Sequence, residues 1–228
     1  MLSAIAIVPS APVLVPELAG AAAYEVAELR AAMIAAAATL PPRWIVVGVG
    51  AADVTFGSGS VGTFAGFGVD VPVSLSPRAT GDPTPMPLCA LLAGWLRAQA
   101  QPDAHAEVRV CADRHDSRAA VEIGHRLRAE IDAAGEPTGV LIVADGANTL
   151  TPPAPGGYQP TDVDVQNALD EALASGDVSA LAPLPPQVTG RVAFGVLAGL
   201  TEPAPRSAKE LYRAAPYGVG YVAGVWQP

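Results

Sequence analysis

Residues Gly139–Ala144 have the sequence GVLIVA, an uninterrupted apolar run. Two earlier stretches are of the same kind, namely LSAIAIV at Leu2–Val8 and WIVVGV at Trp44–Val49. A strand that is apolar on both of its faces is typical of a parallel sheet covered by helices on both sides. The three runs therefore predict the centre of a buried α/β sheet.

Helical patterns separate these strands. The alanine-rich stretch Ala21–Leu40 stops at Pro41, and Ser117–Ala134 carries Arg and Glu along one face. Because strands alternate with helices, we predict a three-layer α/β/α fold with a mostly parallel or mixed central sheet. Further helices are predicted at Leu88–Gln101, Val163–Ser175 and Val188–Leu200, further strands at Val69–Leu75, Glu107–Cys111 and Val219–Trp226, and loops at 50–68, Pro77–Pro87 and 145–161.

Length and charge limit the classes of protein that this chain can belong to. Its 228 residues are 50% apolar, enough for one sizeable core, and its proline-rich loops are too short to link domains. We therefore expect a single domain over residues 1–228. The formal net charge is −9, which argues against nucleic acid and anionic membrane surfaces as partners, because both require a basic face.

The composition also predicts a compartment. No Lys or Arg precedes Arg30, and three prolines interrupt the first apolar run, so it lacks the pattern of a secretory signal. No apolar stretch reaches the roughly 18–20 residues of a membrane span. Cys89 and Cys111 show no CxxC spacing and predict buried, reduced thiols. We therefore expect a cytoplasmic protein, whose Ala and Arg bias is typical of the GC-rich genomes of actinobacteria.

Two local motifs have structural explanations. GSGSVG at Gly57–Gly62 matches GxGxxG, but the TFAGFG that follows is a poor start for a helix, so we favour a loop over a nucleotide site. CADRHD at Cys111–Asp116 gathers a thiol, an imidazole and carboxylates at a strand end, where α/β proteins place their chemistry. Its simpler interpretation is a polar loop in which Asp116 or Ser117 caps the next helix.

Three separated segments resemble one family. They are IVPSAPVLVPELAG at Ile7–Gly20, ADGANTLTPPAPGGYQP at Ala144–Pro160 and APYGVGY at Ala215–Tyr221. In this order they are similar to segments of the catalytic subunits of class III extradiol dioxygenases, the LigB-like superfamily, to which the Memo-like proteins are related. The resemblance covers nearly the whole chain and implies a three-layer α/β/α fold with a pocket at one end of the sheet.

In active relatives that pocket holds Fe(II), bound by two His and one Glu, with a further His as acid/base. Neutral imidazoles and one carboxylate hold Fe(II) and leave positions open for catecholate and O₂. The resemblance places the first family His on Ser10 and the second on Ala51 or Asp53. It places the acid/base His on Asn148, and the family Glu falls in a stretch without Asp or Glu, nearest Gln187 or Arg191.

None of these positions holds a histidine, because all three histidines, His105, His115 and His125, lie outside them. An amide such as that of Asn148 forms hydrogen bonds but does not shuttle a proton. We therefore assign no catalytic residue and expect no metal and no cofactor.

Our first hypothesis is a LigB-like protein that has lost the Fe(II) site and ring cleavage but retains a pocket for a small molecule or a protein. Its pocket residues would be Ser10, Asp53, Asp145, Asn148 and Tyr158. The alternative is a divergent metal-dependent enzyme, dioxygenase-like or a hydrolase, with a site rebuilt from Asp53, Asp145 and Asn148. Asp113, His115 and Asp116 are further candidates for that site. The apolar Phe64 and Phe67 predict either a homodimer contact or a lid over the pocket.

Overall fold

The computed structural model describes residues 1–228. Its strands are β1 (Leu2–Val8), β2 (Arg43–Gly50), β3 (Val54–Phe56), β4 (Val61–Thr63), β5 (Pro72–Ser74), β6 (His105–Ala112), β7 (Thr138–Val143), β8 (Ser207–Ala214) and β9 (Tyr221–Gln227). Its helices are α1 (Pro16–Ala19), α2 (Ala27–Ala37), α3 (Leu88–Ala100), α4 (Ser117–Ala134), α5 (Asp162–Ser175), α6 (Val178–Leu181) and α7 (Arg191–Thr201).

Seven strands form one mixed sheet in the order β3-β6-β2-β7-β1-β9-β8. The four central strands β6, β2, β7 and β1 are parallel, while β3, β9 and β8 pair antiparallel at the two sides. Strands β4 and β5 form a separate two-stranded ribbon. The predicted mostly parallel or mixed sheet is therefore confirmed, and its parallel strands all end at the same edge.

Helices cover both faces of this sheet. On one face, Met33 of α2 and Leu92 of α3 belong to the same buried cluster as Trp44 of β2. On the other face, Leu127 of α4 and Phe194 of α7 are buried together with strand residues, and α5 adds to this second cluster. The apolar strands are thus buried on both sides, as the continuous apolar runs predicted.

Several element boundaries differ from the sequence predictions. The helix predicted at Ala21–Leu40 is instead a turn of 3-10 helix at Gly20–Tyr24 followed by α2. Arg30 donates hydrogen bonds to the carbonyls of Leu14 and Ala23, which holds this turn against the helix. The strand predicted at Val69–Leu75 shortens to β5, the connection at 50–68 contains β3 and β4, and the last predicted helix begins at Arg191.

Strand β8 escaped prediction altogether. Its sequence SAKELYRA has no apolar alternation, and it is a largely exposed edge strand that pairs only with β9. Polar edge strands need no buried face, so the periodicity that identifies inner strands is missing. None of the helices has the length and apolar character required to cross a membrane.

Candidate functional site

A cavity of about 350 Å³ lies at the carboxyl edge of the parallel strands. Side chains at this edge meet ligands in many open α/β sheets, because the loops that follow parallel strands converge there. Its walls come from the ends of β1, β2, β6 and β7 and from the residues before α7: Ser10, Val49, Gly50, Ala51, Asp113, Val143, Ala144, Asp145, Thr189 and Gly190.

Asp145 lies just after the carboxyl end of β7. Its Oδ1 accepts a hydrogen bond of 2.7 Å from the main-chain N–H of Ser10, while Oδ2 has no hydrogen-bond donor within the protein. Burial raises the pKa of Asp145 to about 6, and the Ser10 hydrogen bond opposes that rise. Burial, and then the charge of Asp145, also raise the pKa of Tyr221 above its usual range. Asp145 is therefore a partly buried acid with one oxygen free for a ligand.

The loop that carries Asp145 is fixed from α5. The side-chain Oε1 of Gln166 accepts a 2.8 Å hydrogen bond from Ala147 N–H, and its Nε2 donates to Asp170 at 2.6 Å. A Cβ atom on Gly146 or Gly220 would lie within about 2.2 Å of the Gln166 side chain. Glycine at these two positions therefore lets both segments pack directly against Gln166. Gln166 thus holds the first residues after Asp145 in place.

Two arginines flank the cavity without lining it. The guanidinium of Arg191 donates to the main-chain carbonyl of Asp113, and that of Arg114 donates to the carbonyl of Ala51 at 3.3 Å. None of the ion pairs in the structure includes Asp113, Asp145, Arg114 or Arg191. The cavity and its rim therefore hold four charged side chains that form no ion pair within the protein.

A second polar contact lies beside this cavity. Asp53 Oδ1 accepts from Ala112 N–H at 2.9 Å and lies 2.8 Å from Nε2 of His115. The Ala112 hydrogen bond, followed by that of His115, holds the pKa of Asp53 below its usual range. Asp116 accepts from Ala119 N–H and caps α4, the simpler role expected for CADRHD.

The structure separates the residues that the sequence singled out. Ser10, Ala51 and Asp145 line the cavity, whereas Asp53, Asn148, Tyr158, Gln187 and Arg191 do not. Asn148 bonds Gly156 through its main-chain carbonyl, and Tyr158 and Gln187 are exposed. Sequence reasoning named Asp113 only as a candidate for a rebuilt metal site, and it did not place Thr189 in the pocket. The polar CADRHD segment at a strand end was a signal that could have placed Asp113 in the pocket. The segment before α7 contains no comparable pattern that would have placed Thr189 there.

These residues do not fit an extradiol Fe(II) centre. The two His positions of the family resemblance hold a hydroxyl and either a methyl or a lone carboxylate, and its Glu position falls nearest an amide or a guanidinium. No group of three or more His, Cys, Asp and Glu is placed to hold a metal. Both thiols are buried, and burial raises the pKa of Cys89 to about 12 and of Cys111 to about 11, so both are protonated at neutral pH.

The fold and this edge define a three-layer α/β protein with a cavity at the ends of its parallel strands. No family model and none of the curated proteins match the chain. Among solved structures, an uncharacterized protein, JW3007 from Escherichia coli K12, is similar with a TM-score of 0.62 at 11% sequence identity. The alignment covers 98% of this chain and 99% of that one, so the likeness extends over the whole fold.

Proposed function

We propose that this protein is a non-catalytic LigB-like protein that binds a small polar molecule in the cavity at the carboxyl edge of the sheet. The observation that carries the proposal is Asp145, which lines a cavity of about 350 Å³ and whose Oδ2 receives no hydrogen bond from the protein. This volume is within the range of small-molecule sites. A ligand that donates a hydrogen bond or carries a positive charge would satisfy that oxygen.

The residues at the expected Fe(II)-ligand and acid/base positions support the loss of ring cleavage. Ser10 and Asn148 occupy positions where the family resemblance requires imidazoles, and neither supplies a good Fe(II) ligand or a proton shuttle at neutral pH. Removal of a general acid/base alone lowers a rate by about 10²–10⁴. We therefore expect the ancestral chemistry to be absent even where a catechol enters the cavity.

Metal analysis of untagged protein, together with oxygen uptake on catechols after anaerobic addition of Fe(II), tests this loss. We expect no stoichiometric iron and no oxygen uptake above the protein-free rate. One tightly bound Fe(II) per chain with catechol cleavage would overturn the proposal.

Ligand binding is tested separately by thermal shift with a library of small polar compounds. Compounds that occupy the cavity should raise the Tm of the wild type but not of Asp145→Asn. The matched control is Asp164→Asn, since Asp164 is exposed on α5 and takes part in no side-chain hydrogen bond or ion pair. Equal shifts in both variants would place the binding elsewhere.

A second candidate function is a divergent metal-dependent enzyme, favoured by the contact between Asp53 and His115. Asp145 and Asn148 are the other side chains that the sequence assigns to a rebuilt dioxygenase-like or hydrolytic site, and of the four only Asp53 and His115 form a hydrogen-bonded contact. Isothermal titration with Mn²⁺ and Mg²⁺ tests it. Stoichiometric binding that is lost in both Asp53→Asn and His115→Gln would support this candidate, whereas the absence of binding would remove it.

A further inference from the structure

The charges around the cavity are arranged in two groups of opposite sign. The carboxylates of Asp145 and Asp113 belong to residues that line it, and the lining contains no Lys, Arg or His. The guanidinium groups of Arg191 and Arg114 lie outside the lining and contact it only through main-chain carbonyls. Asp145 is partly buried and Asp113 is exposed, and both lie beside the guanidinium groups of the rim. Carboxylates next to guanidinium groups are complementary to a molecule with separated charges.

Arg191 is the arginine best placed to reach a ligand. It is the first residue of α7 and follows Gly190, whose N–H donates a 2.8 Å hydrogen bond to the main-chain carbonyl of Asp145. Its guanidinium crosses to Asp113, so it connects two walls of the cavity. A guanidinium has five N–H donors, and Arg191 donates only one side-chain hydrogen bond within the protein. The remaining donors match the two oxygens of a carboxylate.

We propose that the cavity binds a small zwitterion, with its ammonium group on Oδ2 of Asp145 and its carboxylate on the guanidinium of Arg191. This inference rests on the proposed small-molecule function and names its ligand class. Each charge of such a ligand meets a protein charge that lacks an ion-pair partner in the structure. A plain amine would leave Arg191 without a partner, and a plain carboxylate would approach the aspartates that line the cavity.

Isothermal titration with ω-amino acids from glycine to 6-aminohexanoate tests the assignment. Each is compared with the alkylamine and the alkanoate of matched chain length, which lack one of the two charges. We expect at least one amino acid to bind ten-fold or more tightly than both of its matched compounds. Arg191→Gln should reduce its affinity to that of the matched amine, while Arg191→Lys should retain part of the difference.

The control variant is Arg78→Gln, because Arg78 is exposed in the proline-rich loop and forms no side-chain hydrogen bond or ion pair. It should bind like the wild type, and circular dichroism establishes that each variant is folded. Amines that bind as tightly as the amino acids, with no effect of Arg191→Gln, would overturn the zwitterion but leave the proposed small-molecule function standing. The absence of binding by every amino acid at 10 mM would also overturn the zwitterion, while the library screen decides the broader proposal.

Discussion

Protonation of Asp145 is coupled to folding. Burial raises its pKa from 3.8 to about 6 in the folded chain, so the folded state keeps its proton at pH values where the unfolded state loses it. The contribution of Asp145 to the free energy of unfolding should therefore fall as the pH rises from about 4 to 6, and stay constant above that. Since one pKa unit corresponds to about 1.4 kcal/mol, the loss is at most about 3 kcal/mol.

Asp145→Asn removes this ionisation and keeps an oxygen for the Ser10 N–H. Urea titrations at pH 4 and pH 7 should show the variant gaining stability relative to the wild type by about 2–3 kcal/mol between these pH values. Ser10→Ala is the control, because it retains the main-chain donor to Asp145 and should keep the wild-type pH dependence. An equal difference between Asp145→Asn and wild type at both pH values would contradict the coupling.

Gln166 is a second residue whose replacement should strongly lower the stability of the protein. Replacement by Ala leaves the buried N–H of Ala147 without its acceptor and Asp170 without its donor. Because a buried group left unpaired costs about 1–3 kcal/mol, Gln166→Ala should lower the free energy of unfolding by about 2–4 kcal/mol. Thermal denaturation measures this, with the exposed Gln187→Ala as control. A loss no greater than the control's would mean that the loop after β7 is held by other contacts.

At the scale of elements, α4 and α7 approach so closely that their glycines become essential. A Cβ atom on Gly124 would lie 2.2 Å from the Val196 carbonyl oxygen, and one on Gly199 would lie 2.1 Å from that of Val121. Since the obstacle is main chain, Gly124→Ala should force the helices apart and destabilise the protein by about 3 kcal/mol. Gly66→Ala, where a Cβ meets nothing within 4 Å, should change stability by less than about 0.5 kcal/mol. Comparable midpoints for the two variants in urea would show that the helices can separate without cost.

The sequence predicted the elements that bury apolar surface. β1 and α4 have the predicted bounds, because continuous apolar runs and a capped amphipathic repeat identify such elements locally. β8 was missed because a polar edge strand depends on β9 rather than on its own pattern. The split before α2 was missed because the contacts that accompany it, such as the Arg30 hydrogen bond to Leu14 16 residues away, leave no local pattern.

The candidate site could be predicted only where one strand end determines it. Asp145 follows the most apolar strand directly, so its place at the carboxyl edge was foreseeable. Thr189 is held at the same cavity by its main-chain N–H and its hydroxyl, which both donate to the carbonyl of Gly146 after β7. No local pattern encodes such a contact between distant segments. Arg191 was considered only as a replaced metal ligand, because its role at the rim depends on α7 lying beside the loop that contains Asp113.

At the scale of the whole molecule, one sheet supplies both cores, so the two faces should unfold together. Trp44 is buried on the face covered by α2 and α3, and Trp226 on the face covered by α4, α5 and α7. Their strands are linked through β7 and β1, and separation of either helical layer would expose strands that both faces share. We therefore expect one cooperative transition for residues 1–228.

Two variants make each face visible. Trp95→Phe combined with Trp226→Phe leaves fluorescence from Trp44, and Trp44→Phe combined with Trp95→Phe leaves it from Trp226. In each variant the fluorescence midpoint in urea should coincide with the midpoint from far-ultraviolet circular dichroism, which reports on all helices and strands. Circular dichroism also controls for any stability that the substitutions themselves change. A fluorescence midpoint separated from the dichroism midpoint in either variant would show that one helical layer unfolds before the other. The sheet would then be stable without one of its two helical layers, which contradicts a single cooperative transition.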